Sequence, residues 1–223
     1  MSTYLITGAN RGIGLSLTQQ LAARGDDVIA VCRQASAALD ATGAQVIDGV
    51  DVSDAQAVAA LPGRLGERRI DALVLNAGIF TNEKLDALDE DAFARMQRQF
   101  EVNTLGPLRV AAALQDHLAQ GARVGIITSR MGSVSDNGSG AYYGYRASKA
   151  AVNAIGKSLA VDLAPRGIAV VLLHPGRVAT DMLGGQGDIG PDEAATNLIA
   201  RMDALTLEDS GSFWHANGTG LPW

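Results

Sequence analysis

A chain of 223 residues is short for two domains and long enough to close one large core. Its net charge of −6, with Lys and Arg scattered, argues against nucleic acid as the main partner, because a phosphate backbone is met by clustered cations. Hydrophobic residues make up 47% but never form the uninterrupted run of about 20 that a membrane helix needs, and the single cysteine excludes an internal disulfide and fits a reducing compartment.

In chain order, Met1-Ser2-Thr3-Tyr4 carries no basic segment and runs straight into a first strand at Thr3–Thr7, so a signal peptide is not expected and a cytoplasmic location is. Further strands are predicted at Val28–Cys32, Gln45–Ile47, Ala72–Leu75, Val124–Thr128 and Ala169–Leu173, with a short last one at Ser212–His215. Between them, Ala-rich stretches predict helices at Arg11–Ala23, Ala55–Leu61, Asp91–Val102, Leu105–Ala119, Tyr145–Leu163 and Asp192–Met202. Arg24-Gly25 offers the first helix a left-handed cap, and Pro165 stops the long one. Strand and helix alternate without repeat or linker. The expected fold is a single α/β domain of Rossmann type, a doubly wound parallel sheet of about seven strands flanked by helices.

Two motifs carry chemistry. Thr7-Gly8-Ala9-Asn10-Arg11-Gly12-Ile13-Gly14 stands between the first strand and the first helix, where doubly wound folds hold dinucleotides. There glycines let the backbone approach a pyrophosphate, and the helix N-terminus supplies free N–H groups. Tyr145 and Lys149 are one helical turn apart and share a face, so the ammonium can keep the phenol's proton labile. A Tyr-x-x-x-Lys pair alone is common on solvated helices; beside a hydride carrier it reads as carbonyl reductase or alcohol dehydrogenase chemistry. A free tyrosine titrates near 10, and a lysine about 4 Å away at an effective dielectric near 20 is worth on the order of 4 kcal/mol, enough to lower that by about 3 units. His117, His174 and His215 show no ligand spacing, so no metal is expected, and Cys32 at a strand end reads as packing.

With these motifs the chain resembles the short-chain dehydrogenase/reductase family. Beyond the glycine turn and Tyr-x-x-x-Lys, the family's blocks recur in order as Asn76-Ala77-Gly78, Asn103, and Pro175-Gly176-Arg177-Val178-Ala179-Thr180-Asp181. The resemblance implies that Gly8, Asn10, Arg11, Gly12, Ile13 and Gly14 cradle the cofactor, that Asp51 and Val52 meet its adenine, and that Asn76, Ala77 and Gly78 brace the central strand. It further implies that Pro175, Gly176, Val178 and Thr180 face the nicotinamide and phosphates, and that Lys149 and Tyr145 lie along its ribose. The second strand ends at Cys32-Arg33 with no carboxylate for a ribose 2′-hydroxyl, and Arg33, helped by Arg11, suits a 2′-phosphate. NADP(H) is therefore expected, with NAD(H) the alternative. Asp26 and Asp27 stand at the wrong end of that strand.

Ser129, at a strand end, aligns with the family's carbonyl-polarising serine. An insert, Asp136-Asn137-Gly138-Ser139-Gly140, lengthens the gap to Tyr145 and leaves Ser133 in competition. Asn103 matches the asparagine that kinks a helix and holds a water beside the lysine. Tyr142 or Tyr143 is expected at the pocket mouth, and residues 181–190, rich in glycine, read as a mobile lid or an ordinary loop. Thr128-Ser129-Arg130-Met131-Gly132-Ser133, the insert, Tyr143-Gly144-Tyr145-Arg146 and the Trp-rich tail look like the C-factor and sniffer-like carbonyl reductase branch. The expected activity is NADP(H)-dependent interconversion of aldehydes or ketones with alcohols on a small molecule, with Ser129, Tyr145, Lys149 and Asn103 as its catalytic set. A cofactor-binding signalling protein with little turnover is the alternative. A homodimer is expected through the Leu105 and Tyr145 helices, with tetramer or monomer as alternatives.

Overall fold

Short aliphatic and β-branched runs separated by Ala-rich stretches build one parallel sheet in the computed structural model, which describes residues 1–223. Its strands are β1 (Thr3–Thr7), β2 (Asp27–Val31), β3 (Gln45–Ile47), β4 (Ile70–Leu75), β5 (Leu118–Ile127), β6 (Ala169–His174) and β7 (Ser212–His215). They lie in the order β3-β2-β1-β4-β5-β6-β7. The chain winds outward from β1 to β3 and then crosses back to β4. The order therefore reverses between β1 and β4, and a crevice opens there at the strands' C-terminal ends.

Eight helices cover the sheet: α1 (Gly12–Arg24), α2 (Ala37–Asp40), α3 (Ala55–Ala59), α4 (Leu61–Leu65), α5 (Glu90–Phe100), α6 (Gly106–Leu114), α7 (Tyr143–Leu163) and α8 (Pro191–Ala204). Successive strand residues point to opposite faces. Leu5, Ile29, Leu73 and Val124 join a core with α3, α4, α6 and α7, while Tyr4, Ile6, Ala30 and Val74 join a second core with α1, α2 and α8. No helix is long and apolar enough to cross a membrane.

Several elements differ from the sequence reading. The helix expected over Leu105–Ala119 stops at Leu114, because Leu118 is drawn into the sheet opposite Ile70, and Gly121 takes φ +76 where β5 bends. Sheet pairing there overrides good helix formers. The helix expected over Ala55–Leu61 is two short ones meeting at Ala60, the second started by Pro62. α2, capped by the Ser36 hydroxyl, was not anticipated. α7 starts two residues before Tyr145, at Tyr143.

Candidate active site

The glycine turn forms the crevice floor, and its three glycines serve different ends. Gly8 and Gly12 adopt φ +67 and +52, which L side chains avoid, and a Cβ on Gly8 would stand 2.9 Å from the Ala77 Cα. Gly14 faces inward, where a side chain would collide with the Gly8 carbonyl oxygen and sit 2.7 Å from Asn76 Nδ2. Asn76 locks the turn: its Nδ2 donates to the carbonyls of Thr7 at 3.0 Å and Gly8 at 3.2 Å. The Thr7 hydroxyl accepts from the N–H groups of Asn76 and Ala77.

Around this floor lies a crevice of roughly 1110 Å³, its open mouth included, large enough for a dinucleotide by the usual size of ligand sites. Gly8, Asn10, Arg11, Gly12, Ile13, Arg33, Asp51, Val52, Asn76, Ala77, Gly78, Tyr145, Lys149, Pro175 and Thr180 line it. Of the expected cofactor residues, Gly14, Gly176 and Val178 instead stand behind the wall. Val178 is buried and bridges Ile189, and Gly176, at φ +98, packs on Ile189 and His215. Apolar walls that sequence reasoning missed come from Val50, Ile79, Val102 and Ile127. Their strand-end and helix positions gave no cue.

At the Asp51 end of the crevice, burial works to raise the Asp51 carboxyl, but Ser53 hydrogen bonds at 2.6 and 2.9 Å and the Arg98 guanidinium at 2.8 Å hold it below the ordinary range. The crevice wall holds two carboxylates, Asp51, engaged by Ser53 and Arg98, and Asp181, which faces Arg11. Asp26 and Asp27 pair with Arg24 and Arg68 at the opposite end of β2. Arg11 spans the mouth to Asp181 at 3.6 Å. Glycines that leave room for a phosphate and two arginines on the crevice wall fit a phosphorylated dinucleotide. Cys32 is buried and its thiol is pushed up by burial, as packing demands.

The chemical end is assembled from β5 and α7. Ser129 follows β5 by two residues, and its hydroxyl accepts from Met131 N–H at 3.1 Å and lies near enough to the Tyr145 phenol to influence its titration. Ser133, the competitor, is turned away and donates to the Trp223 carbonyl at 2.9 Å. Gly132 tightens this segment: a Cβ there would sit 2.7 Å from the Lys149 carbonyl carbon, so the turn lies directly on α7. Lys149 Nζ donates to the Ile127 carbonyl at 2.9 Å and stands 5.8 Å from the Tyr145 ring centre.

The phenol's titration differs from the sequence expectation. Burial raises the Tyr145 pKa above its ordinary value, with the neighbouring Ser129 hydroxyl acting against the rise. Burial also lowers Lys149 to about 8. Each charged form is disfavoured by the same dry surroundings. Without a bound cofactor's charge, Tyr145 is a proton-loaded donor at neutral pH.

Asn103 lies in a π-helical turn, Glu101–Leu105, just before Pro107. Its carboxamide accepts from Ile79 N–H at 2.8 Å and donates to the Ile79 carbonyl at 2.9 Å and the Ser148 hydroxyl at 3.1 Å. It thus ties the segment after β4 to α7 and makes no direct bond to Lys149. Phe80, unforeseen, meets Tyr145 edge-on at 4.9 Å and Tyr142 at 5.6 Å; neither Tyr142 nor the exposed Tyr143 lines the crevice, where one of them was expected. Residues 181–190 form a loop closed at its base by the Val178–Ile189 bridge, with Met182 lining the crevice.

Residues 2–188 match the family described as short chain dehydrogenase. A 1-hydroxy-2-glutathionyl-2-methyl-3-butene dehydrogenase of Rhodococcus sp. (strain AD45) is 47% identical over 229 residues, spanning 100% of both chains. The C-signal of Myxococcus xanthus is 43% identical over 156 residues, 69% of this chain and 93% of its own. Among solved structures, an NADPH-bound carbonyl reductase from chicken fatty liver superposes with a TM-score of 0.88 at 29% identity, over 100% of this chain and 99% of its own.

Proposed function

The chain belongs to the short-chain dehydrogenase/reductase family of oxidoreductases, and we propose that it interconverts aldehyde or ketone carbonyls with alcohols, using NADP(H) in preference to NAD(H). The observation that carries this reading is that Tyr145 and Lys149 line the glycine-floored crevice together, with Ser129 beside the phenol.

In reduction, bound NADPH would supply the hydride to the carbonyl carbon. Ser129 and Tyr145 both present O–H groups to the carbonyl oxygen, polarising it. As negative charge grows on that oxygen, Tyr145 transfers its phenolic proton to it, leaving a phenolate that the Lys149 charge steadies. In oxidation the proton returns from the alcohol to Tyr145. Arg33 and Arg11 would hold a 2′-phosphate through charge-assisted bonds, and Gly8 and Gly12 would let the backbone approach the pyrophosphate. Asn103 serves by holding α7 in register, and a water beside Lys149 would carry protons to solvent.

The substrate named for the Rhodococcus relative, an alcohol on a glutathionyl-bearing carbon chain, makes a thioether alcohol of that type a first compound for the oxidative direction. The experiment follows absorbance of NADPH, and separately NADH, with purified protein and a panel of aldehydes, ketones, diketones, quinones and that alcohol. Consumption with a lower KM for NADPH is expected. A clear NADH preference overturns the cofactor choice. The likeness to C-signal favours a second reading, a signalling protein whose input is cofactor occupancy, and cofactor binding without turnover on any compound would favour it. A homodimer through α6 and α7 is expected in solution and is decided by a mass measurement.

A further inference from the structure

The helix that bears Tyr145 begins without a cap of its own. Tyr142, its N-cap residue, makes no side-chain capping bond, and its first turn contains no acid. Yet the first N–H groups of any helix lack acceptors within it. Here the acceptor arrives from 61 residues away: Glu83 Oε2 receives the Gly144 N–H at 3.1 Å. The other carboxylate oxygen receives Gln99 Nε2 at 3.1 Å and the Thr81 hydroxyl. Glu83 is 1% exposed, the one acid among the buried residues, and these partners are neutral donors.

The same segment restrains the two residues that lead into the helix. Ala141 and Tyr142, at φ 52 and 56, are the chain's only non-glycine residues in the left-handed region. L-residues avoid that region, and such backbone persists only where its surroundings dictate it. The Glu83 carbonyl receives the Tyr142 N–H at 2.8 Å, and the Phe80 ring lies against both Tyr142 and Tyr145. Gly144 admits no side chain, because a Cβ would run into Gln99 Nε2 and lie 2.7 Å from Met96 Cγ. The first turn of α7 is therefore seated on α5 with the Glu83 carboxylate wedged beneath it, three positions after the N-cap at Tyr142 comes Tyr145, and the phenol inherits its direction from that seat.

We propose that Glu83 is a positioning residue of the active site: its buried carboxylate supplies the cap that the catalytic helix lacks and so sets where the Tyr145 phenol points. This rests on the reading of Tyr145 as the proton donor. A negative group suits the place, because the N-terminus of a 21-residue helix carries partial positive charge. A glutamine would not replace it. Gln99 Oε1 is committed to the Thr81 N–H at 3.2 Å, so the Gln99 amide nitrogen must face residue 83. A glutamine at 83 then keeps its oxygen toward Gln99 and turns its NH₂ toward the Gly144 N–H, where two donors meet.

The test is Glu83→Gln in the full chain, measured for kcat, for the NADPH KM and for amide hydrogen exchange at Gly144. The expected result is a kcat lower by about tenfold, the scale of one lost capping bond, with the NADPH KM within about twofold and faster exchange at Gly144. A variant that melts earlier but keeps wild-type kcat makes Glu83 a stability cap only and overturns the proposal. If Glu83→Gln does not accumulate folded, Thr81→Val removes one donor to the carboxylate; kcat should fall about threefold at unchanged NADPH KM, and a wild-type kcat overturns the proposal. If the wild-type protein consumes no NADPH with any carbonyl, the proposed activity is what fails. The exchange measurement then decides alone: faster exchange at Gly144 in Glu83→Gln sustains the cap, and unchanged protection refutes it.

Discussion

At Lys149, burial opposes the charge that the chemistry needs, and the result is a pKa of about 8. Below that pH the side chain is an ammonium and can steady a phenolate; above it the charge is lost. For reduction, kcat/KM, which reports groups of the free protein, is expected to hold level near neutrality and to decline above about pH 8. Initial rates with NADPH across the alkaline range measure this. A rate level to about pH 9.5 would mean that the ammonium is not required or is held protonated by something else. The Tyr145 phenol is raised by the same burial, so its own ionisation does not account for a decline near pH 8.

At the scale of elements, the site depends on how closely the turn after β5 lies on α7. Gly132 has the Lys149 backbone 2.7 Å from where its Cβ would be, and backbone cannot step aside as a flexible side chain can. Gly132→Ala should cost about 1–3 kcal/mol of stability, as overpacking does, and should shift Ser129 relative to Tyr145. Denaturant melts and steady-state rates check both: kcat should fall at least about tenfold while NADPH still binds, and unchanged kcat would contradict the packing argument.

The same element shows what sequence could and could not reveal. The glycine turn, Asn76, Tyr145 and Lys149 were legible because their chemistry is local, a few residues at fixed spacing on one strand–helix junction or one helix face. Strand-end context favours Ser129 over Ser133 in the sequence, but what turns Ser133 away, its bond to Trp223 at the far end of the chain, is not legible there. Glu83, Phe80 and the Thr128–Asn153 bond at 2.7 Å were not legible, because each acts across tens of residues with no periodic or motif signal. The early start of α7 and the early end of α6 have the same origin, a tertiary partner overriding local preference.

Over the whole molecule, sheet topology gathers every working group at one edge, the C-terminal ends of β1, β2, β4, β5 and β6, and that edge also holds an acid-sensitive weakness. His174, ending β6, has its pKa lowered to about 4 by burial first, then by His215, Arg130 and Lys149, and its Nδ1 has no partner. The unfolded chain binds that proton near pH 6.5, so between about 6.5 and 4 the unfolded state holds more protons and stability falls as pH falls. At 1.36 kcal/mol per unit this group accounts for roughly 3 kcal/mol. Denaturant unfolding of the wild type and His174→Leu at both ends of that window should show a smaller acid loss in the variant. Equal losses would place the sensitivity elsewhere.

The claim on which the account turns is that the Tyr145 phenol delivers the proton, and Tyr145→Phe tests it with the ring and the Phe80 contact retained. Turnover with NADPH and the best carbonyl of the panel should fall by about a hundredfold or more, while NADPH affinity, measured by fluorescence, stays within about twofold. A variant that binds NADPH normally and reduces the carbonyl within about threefold of the wild-type rate would contradict the account.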